Sequence, residues 1–283
     1  MNGNNENTNK EDFLLLKQFL SVSYGISLSD IHQPFITVKL NKLCENNGIS
    51  HLHELVKRMQ QSHESGLRTA VIEAVTINET SWCRDQYPFE ILKKIILPEI
   101  HRKHPMDALR IWSAACSYGQ EPYSISMVID DVKKMHPTHF VAGTHILATD
   151  ISEQALIEAR RGEYEAVTMS RGLPQEWRHH FFDERQNQRW AVKDSIKNPI
   201  EFSYFNLIDS YDNLGKFDVI FCRNVLVYFS KETKLDILRR MHAILKPGGY
   251  LMVGAMEVLS GVQDYYQIMQ CNPGIIYRAI EKR

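Results

Sequence analysis

The chain has 283 residues, 43% apolar and 24% charged, a composition that suits a soluble protein of one large and one small domain or two modest ones. Its 33 basic and 34 acidic side chains nearly cancel, which excludes nonspecific nucleic-acid binding through a positive field. No apolar run approaches the roughly 18–20 residues that cross a bilayer, so the chain is not expected to be membrane-embedded.

The five cysteines, Cys44, Cys83, Cys116, Cys222 and Cys271, are scattered and form no CxxC pair. Neither a disulfide framework nor a metal site is expected, and the cytoplasm is the expected location. His101, His104, His136 and His139 have no cysteine or carboxylate partner at ligand spacing and read as solvated surface.

Residues 1–10 are polar and Asn-rich, lack the apolar core of a signal peptide, and are expected to be a disordered tail. Residues 11–70 read as a small helical domain. Phe13, Leu14, Leu16, Phe19 and Leu20, then Leu52, Leu55, Val56 and Met59, recur at helical spacing, with Asn47-Gly48 as a turn. Residues 71–106 are expected to be a linker and a helix.

From 107 to 283 the pattern becomes α/β. Leu109 to Ala115 reads as a buried strand, followed by a turn at Gly119 and a helix over 121–135. Thr144 to Asp150 is the next strand, with Ser152 set to cap the helix Glu153 to Arg161 and Gly162 to end it. Phe217 to Cys222 is a strand, Ser230 caps the following helix, Pro247-Gly248-Gly249 turns into a strand at Tyr250, and Ile275 to Ile280 is a final edge strand. Strands alternating with helices imply a largely parallel sheet. The stretch 163–205 exceeds a simple crossover. Gln188 to Lys193 and Ile200 to Phe205 alternate like strands of a small inserted antiparallel sheet.

In an open α/β sheet, ligands bind outside the carboxyl ends of the strands. The buried strand Phe217 to Cys222 runs straight into Arg223 and Asn224, polar groups at that position. Asp150 closes the second strand, where an acidic side chain commonly accepts hydrogen bonds from ribose hydroxyls. The turn Ala114 to Gly119 is not GxGxxG, so a dinucleotide pyrophosphate is a poor ligand. A nucleoside without phosphates fits, and S-adenosylmethionine is one. By themselves, Asn78, Thr80 and Arg84 read no more strongly than a surface turn.

Three segments together carry more: Asn78-Glu-Thr-Ser-Trp-Cys-Arg84, Trp112-Ser-Ala-Ala-Cys-Ser-Tyr-Gly-Gln-Glu-Pro-Tyr-Ser124, and Cys222-Arg-Asn-Val-Leu-Val-Tyr228. Their residues and order resemble the CheR-type chemotaxis methyltransferases over residues 11–280. The resemblance implies a Rossmann-like S-adenosylmethionine-dependent methyltransferase sheet with a small N-terminal all-helical domain and an inserted antiparallel β-subdomain. It also makes the 71–106 stretch a cofactor-contacting one.

The implied activity is protein-glutamate O-methyltransfer to chemoreceptors, with S-adenosylhomocysteine as product and the cytoplasmic helical bundle of membrane receptors as partner. The implied cofactor contacts are Asn78, Thr80, Arg84, Glu121, Asp150, Asn206, Leu207, Asn224 and Val225. Arg84 and Tyr228 are the implied catalytic pair. Trp82 is expected to pack between Asn78, Thr80 and Arg84.

Two departures from the family pattern bear on the partner. The N-terminal domain of many members carries a strongly basic helix, whereas the corresponding stretch Val38 to Cys44 supplies only Lys39 and Lys42, so docking is expected to be weaker, less salt-dependent or directed at a different receptor. Members that tether a receptor C-terminal pentapeptide carry a glycine-containing insertion in the subdomain loop. Here Asp183-Glu-Arg-Gln-Asn-Gln-Arg189 is short and glycine-free, so independence of a tether is expected. The competing readings are a nonenzymatic S-adenosylmethionine-binding regulator, which needs neither Arg84 nor Tyr228, and a small-molecule carboxyl methyltransferase, which has no use for the helical domain.

Overall fold

Four helices begin the computed structural model, which describes residues 3–28, 33–61, 65–76 and 78–281. They are α1 (Gly3–Tyr24), α2 (Gln33–Asn46), α3 (Leu52–Met59) and α4 (Ser65–Val75). Each turns an apolar stripe inward: Phe13, Leu16 and Leu20 of α1 share one core with Ile36 and Leu40, Leu55 and Met59, and Val71 and Val75. Gly48 takes φ 64 in the turn after α2, where the sequence calls for one. Two boundaries differ from expectation. Helical backbone starts at Gly3, within the stretch read as a disordered tail, because residues 3–12 contain no proline to stop a helix propagating outward from the Phe13 stripe. The fourth helix runs past residue 70 to Val75, since Val71, Ile72 and Val75 extend its buried face.

α5 (Tyr87–Ile91) and α6 (Leu97–Lys103), joined by a π-helical turn at Leu92–Ile96, lead to β1 (Leu109–Ala114), α7 (Gln120–Met135), β2 (Thr144–Asp150) and α8 (Glu153–Arg161). Ser152 Oγ accepts from the Ala155 amide at 3.1 Å, and Gly162 closes α8 at φ 63. An excursion follows through β3 (Glu163–Glu165), α9 (Ala166–Met169), α10 (Gln175–Phe181), β4 (Phe182–Glu184) and β5 (Arg189–Val192). Its strands form an antiparallel sheet in the order β3-β5-β4. The chain returns through α11 (Asp194–Lys197) to β6 (Ile200–Tyr204), β7 (Phe217–Cys222), α12 (Lys231–Ile244), β8 (Leu245–Met252), β9 (Tyr266–Gln270) and β10 (Ile275–Ala279).

The main sheet has the order β6-β2-β1-β7-β8-β10-β9. β6 through β8 in that order are parallel, and β10 and β9 add antiparallel. Several sequence expectations are corrected here. Ile200–Tyr204 does not join the inserted sheet but pairs in parallel with β2, and its alternation is that of an edge strand covered on one face. β10 is interior to the sheet, and β9, which the sequence did not reveal, forms the edge. Pro247-Gly248-Gly249 lies within β8 as an irregularity, with Leu245 opposite Phe217 and Tyr250 opposite Val219, rather than as a turn before the strand. His139 stacks on His101 and on His136, with ring centroids 3.8 and 4.7 Å apart, while His136 stays exposed and none of the three is buried.

Alternation along the central strands divides the core. Trp112 and Ala114 of β1 face one layer with Ile220 and Cys222 of β7, while Leu109 and Ile111 face the other with Val219 and Phe221. Each such buried large apolar side chain contributes about 1.5–3 kcal/mol, so the carboxyl ends of these strands are a rigid platform. From β1 the chain first builds outward through β2 and β6, then crosses back to β7 on the other side of β1. The strand order therefore reverses between β1 and β7, the place where sheets of this kind open a ligand crevice.

Candidate functional site

Three loops meet at that crevice: residues 78–86 ahead of α5, residues 115–119 after β1, and residues 223–228 after β7. Six of the nine non-glycine residues with positive φ among the described residues lie on them, namely Cys83, Asp85, Gln86, Ala115, Ser117 and Asn224. Left-handed backbone costs a non-glycine residue about 1–2 kcal/mol, so these loops keep their shape only because neighbours hold them.

Three buried ionic side chains do the holding. Asp150, at the end of β2, accepts the Ser117 amide on Oδ2 at 2.7 Å and the Ser152 amide on Oδ1 at 2.9 Å. Burial pushes its carboxyl above the usual range, against the pull of those amide bonds. Arg223 donates to Glu121 Oε2 at 2.9 Å and to Asp85 Oδ2 at 2.8 Å, and also to the Arg84 carbonyl at 2.6 Å, which ties the 78–86 loop to β7 and α7. Glu121 accepts a further bond from Ser113 Oγ at 2.7 Å. Glu257, beyond β8, accepts the amides of Asn224 at 2.7 Å, Gly254 at 2.8 Å and Leu226 at 3.0 Å, which fixes the left-handed turn at Asn224.

The crevice comprises two adjoining pockets, both partly open to solvent. Asn78, Thr80, Arg84, Glu121 and Asn224 line the first, Asn206 and Leu207 line the second, and Asp150, Val225 and Tyr228 line both. All ten residues singled out in the sequence thus come together. The helical domain closes the second cavity with Tyr24 and Ile26. It is docked there by the Ser27 amide on the Tyr228 carbonyl at 2.7 Å and by Asn206 Nδ2 on the Ser23 carbonyl at 3.0 Å. Carboxylates of Asp150 and Glu121 face the space, and the cation nearest Glu121, Arg223, is already neutralised by Glu121 and Asp85. Such a lining fits a phosphate-free nucleoside with hydroxyl donors and positive charge.

A family model described as "CheR methyltransferase, SAM binding domain" matches residues 78–275, more than half of the chain and all three of these loops. The chain belongs to the CheR methyltransferases. It is 50% identical over 272 residues to "Chemotaxis protein methyltransferase Cher2" of Pseudomonas putida, covering 96% of this chain and 99% of that one. It is 52% identical over 268 residues to "Chemotaxis protein methyltransferase 1" of Pseudomonas aeruginosa, covering 95% and 97%. To "Chemotaxis protein methyltransferase" of Salmonella typhimurium it is 32% identical over 253 residues, covering 88% and 84%. The protein is thus a chemotaxis methyltransferase whose cofactor is S-adenosylmethionine.

Within this CheR-family site, sequence reasoning missed two residues that shape it. Arg223 was visible only as a polar end to a buried strand, because its partners are 102 and 138 residues away. Glu257 received no role, since nothing in Met256-Glu257 announces that three distant amides need an acceptor. Trp82 is corrected as well. It is fully buried away from the polar residues of its own loop, edge-on to Tyr164 and Phe182 of the inserted subdomain at 4.8 and 5.2 Å. Among the described residues no helix is long and apolar enough to cross a membrane, and no His, Cys, Asp and Glu cluster could hold a metal ion.

Proposed function

We propose that this CheR-family methyltransferase acts on glutamate side chains of chemoreceptors in the cytoplasm. The products are glutamyl methyl esters and S-adenosylhomocysteine, and the reaction serves chemotactic adaptation. The reading is carried by one observation: Arg84 and Tyr228 line the same cavity as the acidic pair Asp150 and Glu121, so a carboxylate-orienting group sits beside a nucleoside-binding one. A regulator that only bound the cofactor would need neither Arg84 nor Tyr228.

Bound in the cavity, S-adenosylmethionine supplies an electrophilic methyl group on a sulfonium centre. Asp150 would accept the ribose hydroxyls through the lone pairs its two amide bonds leave over. Asn206 and Leu207 would border the adenine, and Asn78, Thr80, Glu121, Asn224 and Val225 would hold the remainder. A glutamate with a reference pKa of about 4.3 is already a nucleophile at neutral pH, so no general base is required. What remains for the protein is positioning, which contributes several kcal/mol in well-oriented reactions. Arg84 Nη1 is tied to the Glu79 carbonyl at 2.7 Å, which fixes the guanidinium while leaving other donors for the incoming carboxylate. It would therefore orient the nucleophile in a fixed plane. Tyr228 would position the methyl group or the attacking oxygen.

The α2 face offers few cations to the helical bundle of the receptor. On α2, Lys39 lies over the Phe35 ring at 4.8 Å from its centroid, and Phe35 and Val38 are exposed. The 183–189 loop of the subdomain turns through left-handed Asn187 and Gln188, without the insertion associated with a peptide tether. The loop supports methylation independent of a C-terminal pentapeptide, and the α2 face supports docking that is weaker or less salt-dependent. The test is incubation with methyl-labelled S-adenosylmethionine and membranes holding the organism's own receptors. Label released by mild base as methanol is expected. Cofactor binding without any transfer would overturn the reading in favour of a nonenzymatic regulator.

A further inference from the structure

The 223–228 loop has two sides. Asn224, Val225 and Tyr228 face the cofactor cavity, whereas Leu226 and Val227 line a separate groove of about 720 Å³ on the outer surface. The groove is bounded by the start of α12 and by the 256–260 segment. Leu226 and Leu238 form its buried floor, and three apolar residues of its walls are bare: Val227 is 61% exposed, Met256 91% and Val258 76%. A contiguous exposed apolar patch beside a catalytic cavity marks an interaction surface more often than an accident of folding. Glu257, between Met256 and Val258, is buried under the same patch and holds Asn224 and Leu226 by their amides, so the groove wall and the cofactor loop are one rigid unit.

The charges at the groove point to its occupant. Lys231 and Lys234 line it, and neither forms an ion pair among the described residues. Both lie in the first turn of α12, where the helix dipole disfavours cations. The acidic side chain in the lining, Glu257, is spent on three backbone amides, and the neighbouring Glu232 accepts from the Ser230 hydroxyl at 3.0 Å. Glu232 keeps its charge beside Lys231, so the rim is mixed, but it carries two lysines that no ion pair among the described residues occupies.

We infer that this groove seats an acidic amphipathic helix, the substrate segment that carries the accepting glutamate. Its apolar face would lie on Val227, Met256 and Val258 while its carboxylates meet Lys231 and Lys234. The chain continuity of Val227 and Tyr228 puts such a helix next to the mouth of the cavity. The inference rests on the proposed receptor activity and names the surface that presents the receptor to it.

The test compares wild type with the double variant K231E and K234E, and separately with Met256→Ser, in steady-state methylation of receptor membranes. Glutamate at these helix positions favours α12, so the double variant is expected to fold and to bind S-adenosylmethionine with unchanged affinity. KM for receptor is expected to rise at least tenfold in the double variant and severalfold in Met256→Ser, with kcat at saturating receptor retained. Receptor KM within twofold of wild type in both variants would overturn the inference, and any wild-type self-association in sedimentation that the variants then lack would give the groove to a second copy of the chain. If wild type itself methylates no receptor, the proposed activity fails first, and that outcome is distinct from either.

Discussion

The Arg223 guanidinium lies 2.9 Å from the Glu121 carboxylate and 2.8 Å from that of Asp85, and its side chain is only 1% exposed. One residue at the end of β7 therefore neutralises an acid on α7 and another on the loop that carries Arg84. Removing one partner from a buried pair costs about 3–5 kcal/mol because the other charge is left uncompensated. Arg223→Met, which keeps the bulk, is expected to destabilise the protein by about that amount, read from urea denaturation. Adding Glu121→Gln should recover part of the loss. Additive losses would mean that the two residues do not share an interaction.

Glu257 makes a quieter contribution. Its three amide bonds hold Asn224 at φ 59, and hydrogen bonds to a charged acceptor are worth about 1.5–3 kcal/mol each. Glu257→Gln presents a donor where an acceptor is needed, so the turn is expected to relax. S-adenosylmethionine affinity should fall about tenfold or more, equivalent to about 1.4 kcal/mol, in a calorimetric titration. Unchanged affinity would show that the turn holds itself.

Gly172 links the inserted subdomain to the Arg84 loop. It has φ 87, and a Cβ there would lie 2.2 Å from the Trp82 carbonyl, a contact with backbone that no rotamer relieves. The Trp82 amide donates to the Arg171 carbonyl at 3.1 Å, so the loop is pinned on both sides of that point. Gly172→Ala is expected to displace the loop and reduce turnover about a hundredfold, the scale of a 1 Å misplacement of a positioning group. Near-normal turnover would indicate that Glu79 and Arg223 position Arg84 without help from the subdomain.

Much of this architecture was legible because its signals are local. Ser152 and Gly162 mark the ends of α8 from within a few residues of the helix, and the buried runs at β1, β2 and β7 need no knowledge of their partners. Asp150 and Asn224 follow from the same logic, since polar groups that end buried strands must collect where the strands end, whereas Asn78, Thr80, Arg84, Glu121, Asn206, Leu207, Val225 and Tyr228 were legible only through the family resemblance. What the sequence hid depends on distant pairing. Ile200–Tyr204 alternates equally well for either sheet, and only its register against Ile146–Asp150 decides. β10 reads as an edge strand until β9 is found to cover it. Arg223 and Glu257 belong to the same class, for their roles are set by partners from other elements.

Asp150 gives the site a pH dependence. Burial raises its carboxyl above the ordinary 3.8, so the folded protein takes up this proton more readily than the unfolded chain. The contribution to stability is therefore fully present below the unfolded pKa and is lost as pH rises through the folded one. At neutral pH the ionised group is a cost the fold bears. Cofactor binding has the opposite sign, because only the carboxylate accepts from ribose hydroxyls on both oxygens. S-adenosylmethionine affinity is expected to weaken on acidification, starting above the ordinary aspartate range. Asp150→Asn should bind more weakly and lose that dependence. A wild-type titration flat down to pH 4 would remove Asp150 from the cofactor contacts.

Arg84 and Tyr228 separate chemistry from binding. Arg84 lines the first cavity with one donor tied to the Glu79 carbonyl, while Asp150 and the Asn206-Leu207 pair line the part of the site assigned to the nucleoside. Arg84→Ala is expected to lower kcat about a hundredfold by freeing the attacking carboxylate to rotate, while the Kd for S-adenosylmethionine stays within about threefold. Arg84→Lys should recover little, since a point charge lacks the fork that fixes a carboxylate in its plane. Tyr228→Phe keeps the ring and tests the hydroxyl, and should likewise act on kcat. Single-turnover methylation set against calorimetric cofactor binding reads both quantities for each variant. Equal losses of turnover and cofactor affinity in Arg84→Ala would refute this division of roles and make Arg84 a cofactor contact first.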